Sequence, residues 1–141
     1  MRRLRVLVVE DDKDAADSLA RLIHLAGHEV DVAYSPHVAL DVAEQQGPDV
    51  VLLDIGLPRL DGYEVARALR KRPQSKHALI VAVTGFGQES AREASAEAGF
   101  DLHLVKPIEV EQLIRTISDH PGLTPSVVGR REELGLAVAF D

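Results

Sequence analysis

The run Val50-Val51-Leu52-Leu53-Asp54 decides the fold. Four apolar residues lead straight into one carboxylate. Gly47-Pro48 bounds the run on one side and Gly56-Leu57-Pro58 on the other. A short continuous apolar run between such breakers reads as a strand buried on both faces. Strands of that kind belong to parallel sheets covered by helices. Asp54 is then the first residue to emerge at the strand's carboxyl end, the edge at which open α/β sheets bind ligands.

Toward the amino terminus, Leu4 to Val9 is a valine-rich strand that ends in Glu10-Asp11-Asp12. A helix follows from about Lys13 to Ala26, with Ala16, Leu19, Ala20, Ile23 and Ala26 at helical spacing as its buried stripe. Asp12 caps it and Gly27 stops it. Glu29 to Tyr34 alternates as a strand nearer the sheet edge does. Ser35 caps a second helix with Pro36 at its first position. That helix runs to about Gln46 and is predicted to bury Val38, Ala39, Val42 and Ala43.

Toward the carboxyl terminus, Asp61 caps a helix whose stripe is Val65, Ala66 and Leu69, and Pro73 ends it. Leu79 to Val83 is a fourth strand, followed by Thr84-Gly85. The helix from about Gln88 to Ala98 has few large apolar groups, so weak docking is expected of it. Leu102 to Val105 is a fifth strand, followed by Lys106-Pro107. The last helix, Glu109 to about Asp119, turns Val110, Leu113, Ile114 and Ile117 inward.

Five strand–helix units in alternation specify an α/β fold: a doubly wound, five-stranded parallel sheet with helices on both faces. Right-handed crossovers favour the flavodoxin-like order 2-1-3-4-5. Residues 1–120 make one domain, and 121–141 form a tail outside the pattern. Its Val127-Val128 and Leu134 to Phe140 runs are apolar but too short for a domain. The net charge of −7 argues against a nucleic-acid surface. The chain has no cysteine, hence no disulfide and no thiolate chemistry. The apolar stretch near Met1 is too short for a signal-peptide core, and nothing approaches a membrane span, so a cytoplasmic location is expected.

This topology gathers the ends of strands one, three, four and five along one edge. Glu10, Asp11, Asp54, Thr84 and Lys106 therefore converge on one pocket. Clustered acids repel unless a cation sits among them. Hard oxygen ligands suit Mg²⁺, which often binds phosphate with only one or two carboxylates. A carboxylate such as Asp54 can attack a phosphoryl group. Lys106 and the ion would offset the charge spread over the transferring group, and the Thr84 hydroxyl would donate to an oxygen. The six histidines show no pairing at ligand spacing, which argues against zinc.

The chain resembles the receiver domain of two-component response regulators over roughly Arg3 to Ser118. The match is carried in order and spacing by Val8-Val9-Glu10-Asp11-Asp12, Leu53-Asp54-Ile55-Gly56-Leu57-Pro58, Asp61-Gly62, Val83-Thr84-Gly85 and Val105-Lys106-Pro107. The resemblance implies that Asp54 accepts phosphate from a phosphohistidine on a histidine kinase or histidine phosphotransfer domain. It implies Mg²⁺ held by Asp11, Glu10, Asp54 and the Gly56 backbone carbonyl. Lys106 contacts Asp54 and then the phosphoryl group, and Thr84 moves to bind it. The bond before Pro107 is expected to be cis. The phosphodonor is expected on Asp14, Ala15, Ser18, Pro107 and Ile108. The output is a downstream protein, with a homodimer through the Gln88 helix, strand five and the last helix as a further possibility.

Three departures stand out. Glu10 replaces the family's first aspartate and gives a longer arm. His103 falls where the family places an aromatic switch, and an imidazole there titrates near neutral pH. Gly56 and Phe86 stand at the positions that flank the phosphate in the family, where a bare backbone and a bulky apolar group are expected to alter access of the hydrolytic water. No pattern of a DNA-binding domain follows Asp119, so a protein contact is the expected output, from a stand-alone regulator or from the receiver of a hybrid kinase. Two other classes use the same residues. A Mg²⁺-dependent phosphohydrolase would use Asp54 as nucleophile, but Gly56 stands where its second acid belongs. A phosphate-independent interaction module would need no intact acid, hydroxyl and lysine set.

Overall fold

The computed structural model describes residues 3–55, 62–84 and 99–119. The strands are β1 (Arg5–Val9), β2 (Glu29–Ala33), β3 (Val50–Asp54), β4 (Leu79–Thr84) and β5 (Leu102–Val105). The helices are α1 (Lys13–Leu25), α2 (Pro36–Gln46), α3 (Gly62–Arg70) and α4 (Val110–Asp119). All strand pairs are parallel, in the order β2-β1-β3-β4-β5. This is the doubly wound, flavodoxin-like order expected from the alternation.

Alternation along each strand divides the core into two layers. On one face Leu7, Val9, Val51, Leu53, Ile80 and Ala82 pack against Ala39 and Ala43 of α2 and Val65, Ala66 and Leu69 of α3. On the other face Val6, Val8, Val50, Leu52, Leu79, Val81 and Val83 pack against Ala16 and Ile23 of α1 and Leu113 and Ile117 of α4. Both faces of β3 and β4 are covered, so every residue of these two strands is buried. That is why their sequences read as unbroken apolar runs rather than as alternation.

Local signals set the element ends. The Asp12 side chain accepts from the Ala15 N–H at 3.2 Å, and Ser35 Oγ accepts from the Val38 N–H at 3.3 Å. Each satisfies one of the free donors of a helix amino terminus. Gly47 closes α2 at φ 63°, a left-handed conformation that favours glycine. Gly62, at the start of α3, is fixed by contact instead. A Cβ there would lie 2.2 Å from Ile55 Cγ2, so only a bare backbone lets α3 begin this close to the residue after Asp54.

Two apolar residues depart from the predicted stripes. Ala26 is exposed because it is the carboxyl cap of α1, past the last residue that faces the sheet. Val38 is 43 % exposed. The buried stripe of α2 is centred on Ala39 and Ala43 with Leu40 and Val42 on its flanks. At 100° per residue Val38 falls outside that arc. The second strand stops at Ala33, one residue before the predicted end. The predicted Asp61 cap, the Gln88 to Ala98 helix, Gly56, Phe86 and the tail from 121 lie outside the described residues.

Candidate functional site

The carboxyl edge of the sheet carries the predicted site. Asp54 is the last residue of β3 and pairs in register with Val83 of β4. Thr84 follows as the last residue of β4, paired with Val105 of β5. Glu10 leaves β1 with its N–H donating to Ala33 O, and Lys106 leaves β5 with its N–H donating to Thr84 O. Neighbouring strands thus hold the backbone of every one of these residues at one edge.

The side chains meet there. Lys106 Nζ donates to Asp54 Oδ2 at 2.5 Å and to Glu10 Oε1 at 3.3 Å. Residues 52 and 96 positions apart are joined through one ammonium group. Asp54 and Glu10 are buried, at 4 % and 6 % exposure. Thr84 is fully buried, and its hydroxyl lies 3.0 Å from His103 Nε2 and 3.4 Å from Leu104 O. Asp11 is half-buried beside Glu10. Glu10 also accepts from the Asp12 N–H at 3.1 Å. The Lys106–Pro107 bond is cis, as the resemblance implied.

Burial and mutual contact set the electrostatics of Glu10 and Lys106. Burial, then a hydrogen bond shared with Asp54 and repulsion from it, push the Glu10 carboxyl up to about 7. The Asp12 N–H and Lys106 oppose this without cancelling it. For Lys106, burial favours the neutral amine, but contacts with Asp54 and Glu10 outweigh burial and hold its pKa above the ordinary lysine value.

Below the acids, a cavity of about 580 Å³ opens between α1 and α4. Glu10, Asp54 and Lys106 form its polar end; Ala15, Leu19, Leu22, Pro107, Ile108 and Val110 are among its apolar walls. Of the predicted donor-contact residues, Ala15, Pro107 and Ile108 line this cavity. Asp14 and Ser18 are exposed on α1 and do not line it. Leu22 was absent from the predicted stripe. Its signal was the row Leu19, Leu22, Leu25, which starts in that stripe at Leu19 and drifts away from it along α1.

The sequence profile of the response regulator receiver domain matches residues 6–118. This chain belongs to that family. The receiver is 39 % identical over 111 residues to the response regulator MprA of Mycolicibacterium vanbaalenii, covering 79 % of this chain and 47 % of MprA. It therefore spans about half the length of that relative. A CheY-like response regulator receiver domain protein from Methanospirillum hungatei has the same fold, with TM-score 0.73, 28 % identity, and coverage of 82 % of this chain and 91 % of that one. The receiver domain of sensor histidine kinase PA1611 from Pseudomonas aeruginosa gives TM-score 0.73 and 28 % identity, over 83 % of this chain and 96 % of that one. That structure is described with a magnesium ion coordinated in its active-site cleft. Membership makes this receiver a phosphorelay signalling domain of the two-component type. Among the described residues no helix is long and apolar enough to cross a membrane.

The donor set of this receiver fits Mg²⁺. Its acids offer only hard oxygen ligands, and burial beside Asp54 raises the Glu10 carboxyl to about 7. Among the described residues, no three His, Cys, Asp or Glu side chains form a cage for a metal by themselves. Mg²⁺ does not need one, because it keeps several waters and shares the phosphate oxygens.

Proposed function

We propose that Asp54 is the phosphoacceptor and that Glu10 and Asp11, with Asp54 itself and the Gly56 carbonyl, hold Mg²⁺. The observation that carries the reading is the Lys106 ammonium bridging two buried carboxylates at the sheet's carboxyl edge. Bound Mg²⁺ would supply positive charge to the equatorial phosphoryl oxygens. An Asp54 oxygen attacks phosphorus in line with the imidazole nitrogen of a phosphohistidine. The O–P bond forms, the N–P bond breaks, and the departing nitrogen keeps the bonding pair and takes a proton. Lys106 is already beside the attacking carboxylate, so it can follow the growing negative charge onto a phosphoryl oxygen. The product is an aspartyl-phosphate on a signalling domain, whose chemistry is confined to its own phosphorylation and hydrolysis.

Thr84 and His103 form the proposed switch. The Thr84 hydroxyl has one proton to donate. Once it donates to the phosphoryl group, it can still accept from His103 Nε2–H. The imidazole would then follow the hydroxyl inward. The donor would be a histidine kinase or phosphotransfer domain seated on Asp14, Ala15, Ser18, Pro107 and Ile108, since three of these line the mouth of the pocket. The output would be a protein contact on the face formed by β5, α4 and the Gln88 to Ala98 segment, which is also where a homodimer would form.

The test is incubation with a small acyl phosphate and Mg²⁺, read by intact mass. A single phosphoryl addition is expected, absent in Asp54→Asn and absent in chelator. Rapid multiple turnover of the donor would instead indicate a hydrolase. No addition at all would sink the reading.

A further inference from the structure

The amino edge of the sheet, opposite Asp54, holds a buried ionisable group that the phosphoryl chemistry does not use. His28 is 1 % exposed and lies between the end of α1 and the start of β2. Its N–H donates to Ile23 O at 3.4 Å, and the Gly27 N–H donates to His24 O at 3.0 Å, with Gly27 at φ 101°. This is a common way to end a helix, and an apolar side chain usually packs at the position that His28 fills. Here the side chain reaches β1 instead. His28 Nδ1 accepts the Leu4 N–H at 3.0 Å, while the next residue, Glu29, donates its own N–H to Leu4 O at 2.9 Å. On the other side, Arg5 donates its N–H to Asp49 Oδ2 at 2.9 Å. The two amides at the entry to β1 are therefore held by side chains that stand just before β2 and β3.

The Leu4 bond fixes the state of the ring. A backbone N–H can only donate, so Nδ1 offers its lone pair and the ring proton sits on Nε2. Nε2 is buried and has no hydrogen-bond partner among the described residues. A second proton would go to Nδ1, where it would face the Leu4 N–H. Burial, and then the Arg3 guanidinium on the lead into β1, push the ring's pKa below its ordinary 6.5. Among the described residues no carboxylate of α1, β2 or α4 acts on the ring to offset them. His24 and Glu29 are exposed, and the Asp49 carboxylate is turned to Arg5.

We propose that His28 is an acid-release latch: a proton taken from solvent onto Nδ1 breaks the bond to Leu4 and frees the entry of β1 from the start of β2 and the end of α1. The imidazolium then turns out to water with a proton on each nitrogen, and water takes over the Leu4 N–H. The folded chain binds this proton less tightly than the unfolded one. The stability that the latch contributes is therefore present above about pH 6.5 and is lost as pH falls through the lower folded-state value. This is the opposite sense to Glu10, at the other end of the same strand.

The test is NMR on the full chain between pH 8 and pH 5, without Mg²⁺ or a phosphoryl donor, so the result stands apart from phosphate chemistry at Asp54. The ring nitrogen signals of His28 should show the proton on Nε2 at pH 8. On acidification the Leu4 and Glu29 amides should lose protection from exchange, corrected for the intrinsic rate at each pH, by up to about tenfold per pH unit, the effect of one proton taken up on opening. His28→Asn places Oδ1 close to the position of Nδ1 and takes up no proton. Leu4 should stay protected in this variant and the pH profile should flatten. Should the variant fail to fold, the wild type alone decides, because His28 must titrate in the same step as Leu4 opens. A proton on Nδ1 at pH 8, a ring that titrates while Leu4 stays protected, or the same pH profile in His28→Asn would overturn the proposal. So would an equal loss at Leu53 in the middle of the sheet, because the whole fold would then be opening rather than a latch.

Discussion

At the residue scale, Glu10 carries the sharpest consequence of the site. Its carboxyl titrates at about 7 in the folded chain against 4.5 as an isolated side chain. A raised folded-state value means that the folded chain holds the proton more tightly than the unfolded one. The resulting stability is fully present below about pH 4.5 and is lost as pH rises through about 7. In chelator, thermal melts should therefore show the difference in Tm between the wild type and Glu10→Gln shrinking or reversing in favour of Gln between pH 5 and 8. Parallel pH curves for the two proteins would refute the assignment. Where Mg²⁺ binds this carboxylate, it must displace the proton, so its affinity should rise across the same window. Calorimetry in buffers of different ionisation enthalpy would register the released proton. Lys106→Met tests the complementary charge. Removing the ammonium leaves Asp54 and Glu10 buried together, so Mg²⁺ affinity should rise while phosphoryl transfer to Asp54 slows by about a hundredfold, the order expected for loss of one charged transition-state contact.

At the element scale, one arginine ties the end of α3 to the lead into β5. Arg70 donates to Gly99 O at 2.7 Å and 3.0 Å, to Ala78 O at 2.6 Å and to Lys76 O at 3.0 Å, and it pairs with Asp101 at 2.5 Å. Asp101 in turn accepts from the Ile80 N–H at 2.9 Å, which anchors the start of β4. Arg70→Met strands a largely buried carboxylate and several carbonyls, and should cost about 2–4 kcal/mol in urea unfolding. Arg72→Met, whose partner Glu44 is exposed, should cost less than about 1 kcal/mol. Equal losses would show that the network is ornamental. This contrast also explains what the sequence could reveal. The Asp12 and Ser35 caps, Gly47, and the buried runs of β3 and β4 act on near neighbours, so their residue types announce them. The Arg70 partners lie up to 31 positions away and are chosen by the packing of α3 against the sheet. His28 was silent for the same reason. It is buried, and its Nδ1 accepts the Leu4 N–H at 3.0 Å across 24 positions. Neither the spacing nor the type of that residue predicts such a contact.

At the scale of the whole molecule, the question is how a group on β3 reaches the surface of β5 and α4. The order of the strands was legible because each crossover is right-handed and each strand end bears a distinct chemical group. The groove between α1 and α4 was not, because its width depends on how two helices settle over one sheet. The proposed route outward runs through Thr84, whose hydroxyl lies 3.0 Å from His103 in β5. A phosphoryl group can shift a conformational equilibrium only by contacts it makes better in one state than in the other. The proposed contact is a hydrogen bond from Thr84 to a charged oxygen, worth about 1.5–3 kcal/mol, or roughly a tenfold to hundredfold change in the ratio of states. Thr84→Val keeps the volume and removes the donor. Phosphorylation of this variant at Asp54 should still proceed, yet the change in amide exchange that it causes across 102–119 should fall by that factor. Hydrogen exchange on phosphorylated and unphosphorylated samples of both proteins measures it. An undiminished response in the variant would mean that the signal leaves Asp54 without passing through the β4 hydroxyl, and the β5–α4 face would lose its claim to be the reporter.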